Sequence, residues 1–124
     1  MQIIAIGTIE GRHDLPVDNY VFSKVDEPNN IKWLEQYSFT YLQKLIGNDA
    51  IKVVNYPSEK PVSHIGTKED IYLEADVELH IYITGLTQAT LAIVNSARRL
   101  HIHKLYIHHY DIYKKEFIEQ KIIY

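Results

Sequence analysis

An α/β fold on a mostly parallel sheet is predicted by three features of this 124-residue chain. Short runs with strand composition alternate with two segments of helical spacing, Gly or Pro breaks separate them, and a β-rich tail follows the last run. The expected result is a single domain with a four- to five-stranded sheet, two main helices and a C-terminal antiparallel hairpin.

The elements follow in order. Gln2-Ile3-Ile4-Ala5-Ile6, stopping at Gly7-Thr8, reads as a central strand buried on both faces. Glu10 to Pro16 is polar and broken by Gly11 and Pro16, hence a loop, with Tyr20-Val21-Phe22 a short strand or packed segment beyond it. From Asn29 to Ile46 the residues Ile31, Leu34, Tyr41, Leu42, Leu45 and Ile46 recur near helical spacing, with Asn29 or Asn30 to cap the start and Gly47 to end it.

Ala50 to Tyr56 reads as a second sheet strand closed by Pro57, and Ser58 to Lys68 as a loop. Val77 to Ile83 alternates β-branched and polar residues and makes a third strand. Gly85-Leu86-Thr87 turns the chain into a helix from Gln88 to Leu100, capped by Thr87. Lys104 to Tyr110 is a fourth strand, and Glu116 to Tyr124 folds back on it through a turn around Tyr113-Lys114-Lys115. Right-handed crossovers are expected to lay the helices on the faces of the sheet.

Composition excludes whole classes of chemistry. There is no cysteine, so thiol catalysis, redox motifs, thiolate zinc sites and disulfide scaffolds are out. A net charge of −3, from 13 Lys+Arg and 16 Asp+Glu, argues against a coat for long nucleic acid. No apolar run approaches the ~20 residues of a membrane span, and MQIIAIGTIEGRHDLP has no basic leader before a signal-peptide core. A cytoplasmic protein with no membrane partner is expected.

In an open parallel sheet, ligands bind beyond the carboxyl ends of the strands. Here those ends are Gly7-Thr8, Tyr56, Thr84 to Thr87 and His108 to Asp111, with Arg12, His13 and Asp14 in a loop that can reach the same edge. The sharpest feature is Thr84-Gly85-Leu86-Thr87-Gln88. A Gly turn exposes backbone N–H groups at the positive end of a helix, the two threonines add hydroxyl donors, and the first turn Gln88-Ala89-Thr90-Leu91 contains no acid to occupy that end. A phosphate suits it; an ordinary Gly turn with a Thr cap has the same sequence. Neither GxGxxG nor GxxxxGK[ST] is present, so no cofactor is expected.

Among the seven histidines, His101-Ile102-His103 and His108-His109 stand at opposite ends of the fourth strand, some 15 Å apart at ~3.3 Å per residue, too far to share one metal. HExxH and the HxT or HxS pairs of two-histidine phosphoesterases are also missing, so no metal site is expected, with Asp111 the one obvious carboxylate partner. His13, His108 or His109 can move a proton near neutral pH, and Arg12 can fork onto phosphate. A solvated Arg12-His13-Asp14 loop is the plainer reading. Ala89, Leu91, Ala92, Ile93, Val94 and Ala97 make the second helix apolar over much of its circumference, which predicts a homodimer through that face.

From Leu79 through Thr84-Gly85-Leu86-Thr87, the following apolar helix and Leu105 to Asp111, the last 50 or so residues resemble small α/β proteins of phages and mobile elements. More distantly they resemble the Rossmann-like CARF sensors and ring nucleases of type III CRISPR systems. The resemblance implies a homodimer that binds a cyclic oligonucleotide at the carboxyl edge, with Thr84, Gly85 and Thr87 at the ligand, and cleavage without metal through the RNA 2′-hydroxyl. The leading expectation is a binder of a cyclic nucleotide messenger that sequesters or hydrolyses it. Gly7, Thr8, Arg12, Thr84, Gly85, Leu86 and Thr87 would line the site, with His13 or His109 as the proton-transfer group. The competing class is a non-enzymatic phage or host interaction factor that uses the apolar helix or an exposed C-terminal strand.

Overall fold

A computed structural model describes residues 1–11, 14–47, 51–57, 67–73 and 76–123, with the backbone alone described for 51–57 and 67–73. Strands β1 (Gln2–Ile9), β2 (Tyr20–Phe22), β5 (Val77–Tyr82), β6 (Lys104–Asp111) and β7 (Glu116–Ile122) form a five-stranded sheet of order β2-β1-β5-β6-β7. The first four are parallel to their neighbours, and β7 returns antiparallel to β6 as the expected hairpin. This is the Rossmann-like, mostly parallel α/β arrangement.

The expected second sheet strand is instead half of a separate unit. Strand β3 (Ile51–Pro57) pairs antiparallel with β4 (Thr67–Leu73) in a two-stranded sheet of their own. Tyr56 is therefore not at the carboxyl edge of the main sheet. The expectation of a loop from Ser58 to Lys68 overlaps β4 at Thr67 and Lys68; residues 58–66 lie outside the described residues. Thr67-Lys68-Glu69-Asp70 carries three charged residues in four, a composition that does not read as a strand, yet its backbone pairs with β3.

Helix α1 (Ile31–Ile46) starts as its sequence predicts: Asn30 Oδ1 accepts from the Trp33 N–H at 3.2 Å, and Gly47 takes a positive φ of 101° at the end. Helix α2 (Thr87–Arg99) links β5 to β6. Its N-cap is Leu86, with no side-chain hydrogen bond, so Thr87 is the first helical residue and does not cap.

Both helices cover the same face of the sheet. The crossovers β2 to β5 and β5 to β6 step across it in one direction, and two right-handed crossovers stepping the same way end on one side. That face is aliphatic: Ile4, Leu79 and Leu105 lie in register, as do Ile6, Ile81 and Ile107, all buried. The opposite face of β1 is not buried as a central strand was expected to be, since Ile3 is 63% exposed and Ala5 is exposed.

The apolar girdle of α2 has an explanation within the chain. Ala89, Ala92, Ile93 and Ala97 are buried in the core, and α1 packs alongside, with the Ser96 hydroxyl donating to the Glu35 carbonyl at 3.3 Å. Leu91 stays 55% exposed. Most of the apolar girdle of the helix is thus covered within the chain, with Leu91 left outside. Among the described residues no helix is long and apolar enough to cross a membrane.

Candidate functional site

Two structural features stand out, one at the carboxyl end of β5 and β6 and one on a face of the same strands. The first is a cavity of about 510 Å³, walled by Asp14 and Leu15 from the loop after β1, by Ile83, Thr84 and Gly85 after β5, and by His109, Tyr110, Ile112 and Phe117 of the C-terminal hairpin. It lies where strand ends and the start of α2 converge, as a parallel sheet dictates. Gly85, with φ 100°, turns the chain from β5 into α2; a Cβ would be strained there by that backbone angle.

Of the three threonines expected at the ligand, Thr8 and Thr84 do not offer their hydroxyls to the cavity. Thr8 and Thr84 are buried, their hydroxyls 2.6 Å apart, and the Thr84 N–H donates to Thr8 Oγ1 at 2.9 Å while the Ile9 N–H donates to Thr84 Oγ1 at 3.2 Å. This reciprocal bond ties the end of β1 to the end of β5 and fixes the turn. What the turn presents outward is backbone, together with a first helical turn free of acids. Gly7 likewise serves packing: a Cβ built on it would sit 2.5 Å from the Tyr20 ring. Leu86 is packed against the core and Thr87 is exposed at the start of α2.

His109 lines the cavity, and its Nε2 lies 2.8 Å from Gln120 Oε1, so Nε2–H donates there and Nδ1 is left with the lone pair. Arg12 and His13, the other basic candidates, lie outside the described residues. Asp111 does not partner a histidine; its carboxylate accepts the N–H groups of Tyr113 (2.9 Å) and Lys114 (3.1 Å) and holds the hairpin turn. Arg99, in the last turn of α2, stands 4.0 Å over the Phe39 ring, in keeping with a helix-end role.

The second feature is a cluster on the sheet face away from the helices. His80 and Glu78 on β5, His108 on β6 and Glu119 on β7 share this face. His80 Nε2 is 2.8 Å from Glu78 Oε2 and His80 Nδ1 is 2.8 Å from His108 Nε2. Glu119 Oε1 stands 3.7 Å from both of those last two nitrogens. Aromatic rings hold the imidazoles: Tyr106 stacks on His80 at 4.9 Å and Tyr82 on His108 at 4.2 Å. Tyr82 in turn meets Phe117, which meets Tyr110, so one row of rings runs from the cluster to the cavity. Burial, and secondly the neighbouring His80, hold the His108 imidazole below its ordinary pKa of 6.5, which keeps it neutral near pH 7.

Sequence reasoning compared histidines close in sequence and so passed over His80, which is 28 residues from His108. The signal was the alternation Glu78-Leu79-His80-Ile81-Tyr82, which puts the polar residues on one face, combined with the parallel register of β5 and β6. His108 and His109, adjacent on β6, point to opposite faces, one into the cluster and one toward Gln120. No family model, curated protein or solved structure matches the chain.

Proposed function

We propose that this chain binds a phosphate-bearing nucleotide in the cleft at the carboxyl edge of its sheet, specifically a cyclic nucleotide messenger of prokaryotic antiviral defence, which it sequesters or hydrolyses. The observation that carries the reading is the cavity itself. Its volume of about 510 Å³ falls within the range of roughly 300–1,000 Å³ usual for small-molecule sites, and its walls match the parts of a nucleotide. Of its walls, the Tyr110 and Phe117 rings suit a base and the free Nδ1 of His109 suits proton transfer, and the Gly85 turn leads from the cavity into the acid-free start of α2, which suits a phosphate. The resemblance to CARF sensors and ring nucleases adds the choice of a cyclic oligonucleotide. A homodimer belongs to the same reading, because such a ligand repeats its base and phosphate and two copies present the cleft twice.

The test is a thermal-shift series with cyclic di-, tri- and tetra-adenylate and linear nucleotides, each mixture then chromatographed. A ligand that raises the melting temperature and is recovered intact identifies a sensor or sponge. One recovered as linear product identifies a nuclease, in which His109→Ala abolishes turnover. Thr87→Ala weakens binding without loss of folding, since that side chain makes no cap bond.

One observation favours a second reading. β7 is an edge of the sheet, and Ile118 on it is 41% exposed, as is Tyr113 at 92% in the turn before it. A partner protein adding a strand along β7 would use that edge. No shift with any nucleotide moves the assignment to this class.

A further inference from the structure

We infer that His80 Nδ1, His108 Nε2 and Glu119 Oε1 form a binding site for one divalent zinc-class cation, a site independent of the nucleotide reading. The three atoms lie at the corners of a triangle with sides of 2.8, 3.7 and 3.7 Å. The point equidistant from such corners is about 2.0 Å from each, the length of a Zn–N or Zn–O bond (~2.0–2.2 Å). Two imidazoles and a carboxylate are a donor set that suits Zn²⁺ and its first-row neighbours, while Mg²⁺ and Ca²⁺ want oxygen alone. Three protein ligands leave a fourth, tetrahedral position for water.

Three further features separate this cluster from an accidental meeting of polar side chains. Glu78 accepts a hydrogen bond from the far nitrogen of His80 at 2.8 Å, which leaves the Nδ1 lone pair aimed at the other two ligands. A carboxylate behind a ligating histidine is the usual outer partner that fixes tautomer and ring orientation. The rings of Tyr106 and Tyr82, stacked on the two imidazoles, fix their planes. Finally, the histidine side chains are 16% and 11% exposed while Glu119 is 53% exposed, so the site is walled on the protein side and open to solvent through one flexible ligand.

Without metal, one proton lies between His80 Nδ1 and His108 Nε2, and binding requires it to leave Nε2 for Nδ1 of the same ring or for solvent. For a tetrahedral set of such bonds every ligand pair stands ~3.3 Å apart, so the two nitrogens must also part from 2.8 Å and Glu119 Oε1 must close in from 3.7 Å, which lifts the ion out of the plane of the three ligands. Two neutral imidazoles and one carboxylate then leave the bound ion with one net positive charge on the open face. The His108↔Glu119 pair is two residues along the ladder from Tyr110↔Phe117, about 7 Å from rings that wall the cleft.

The test is calorimetric titration of ZnCl₂ into the full chain, previously dialysed against chelator and then against chelator-free buffer at pH 7.5. Wild type binds one equivalent, and the melting temperature rises with added Zn²⁺. Glu78→Gln binds roughly tenfold more weakly, as loss of an outer carboxylate does. Glu119→Ala and His80→Asn lose more than that. Glu119 is exposed on an edge strand, so its variant keeps the metal-free melting temperature and the result does not depend on whether the histidine variant folds. His103→Asn, at the far end of β6, binds as wild type. Absence of one-equivalent binding, undiminished binding in Glu119→Ala, or loss of binding in His103→Asn overturns the site. Co²⁺ substitution supplies a second readout: intense visible absorption from a four-coordinate ion in wild type, absent in Glu119→Ala.

Discussion

The two faces of the sheet are made from the same three strands and have almost nothing in common. On one, Ile4, Ile6, Leu79, Ile81, Leu105 and Ile107 are all buried beneath two helices. On the other, Ile3 is exposed to solvent, and Glu78, His80, Tyr82, Tyr106 and His108 form a half-covered layer of rings and charges reaching to Phe117 and Glu119. The alternation along β5, buried at every second residue, generates both. Stability lives on the first face, where each residue removes apolar area from water. The second can hold polar and titratable groups because both crossovers carry their helices to the other side.

That division is open to attack by mutation. Leu79→Ala, under the helices, removes a fully buried side chain and destabilises by about 2–5 kcal/mol in urea unfolding. Thr84→Val removes the acceptor of the buried Ile9 N–H and one of the two partners of the Thr8 hydroxyl, and loses about 1–3 kcal/mol. In the double variant Thr8→Val/Thr84→Val the loss is smaller than the sum of the two singles, because the bond between the two hydroxyls is lost only once, while the Thr84 and Ile9 N–H groups each lose an acceptor. Gly7→Ala drives a methyl into the Tyr20 ring and destabilises by about 1–2 kcal/mol, an effect that shrinks when Tyr20 is also shortened to Ala. Ile3→Ser, on the open face of the same strand as Ile4, changes stability by no more than about 0.5 kcal/mol. An Ile3→Ser loss as large as that of Leu79→Ala would mean that the open face is covered.

Local signals in the sequence were legible where local physics decides the outcome. Asn30 and Gly47 mark both ends of α1 because a cap needs only neighbouring backbone, and the alternation of β5 marks its strand. The return of β7 onto β6 follows from a short turn between two β-rich runs. What sequence did not reveal depends on register between distant segments. Val53 and Val54 look like sheet residues whichever strand they pair with, and only the pairing with β4 takes them out of the main sheet. Thr8 and Thr84 are 76 residues apart and look like free hydroxyls until their strands end side by side. His80 becomes a candidate ligand only once β5 and β6 are set in parallel, which brings it to His108. The location of the cleft was legible because strand direction fixes it.

On the proposed reading a nucleotide is held at the carboxyl edge of the sheet, beside the open face and away from the outer surface of the helices. The most direct test is an NMR titration of ¹⁵N-labelled protein with cyclic tetra-adenylate, following the amides residue by residue. Nucleotide in the cleft gives saturable shifts confined to Gly85 to Thr87, His109, Tyr110 and Phe117, with the amides of Lys32 to Lys44 and Lys104 unmoved. Saturable shifts centred on α1 or on the amino ends of the strands, or no shifts at all, would contradict it.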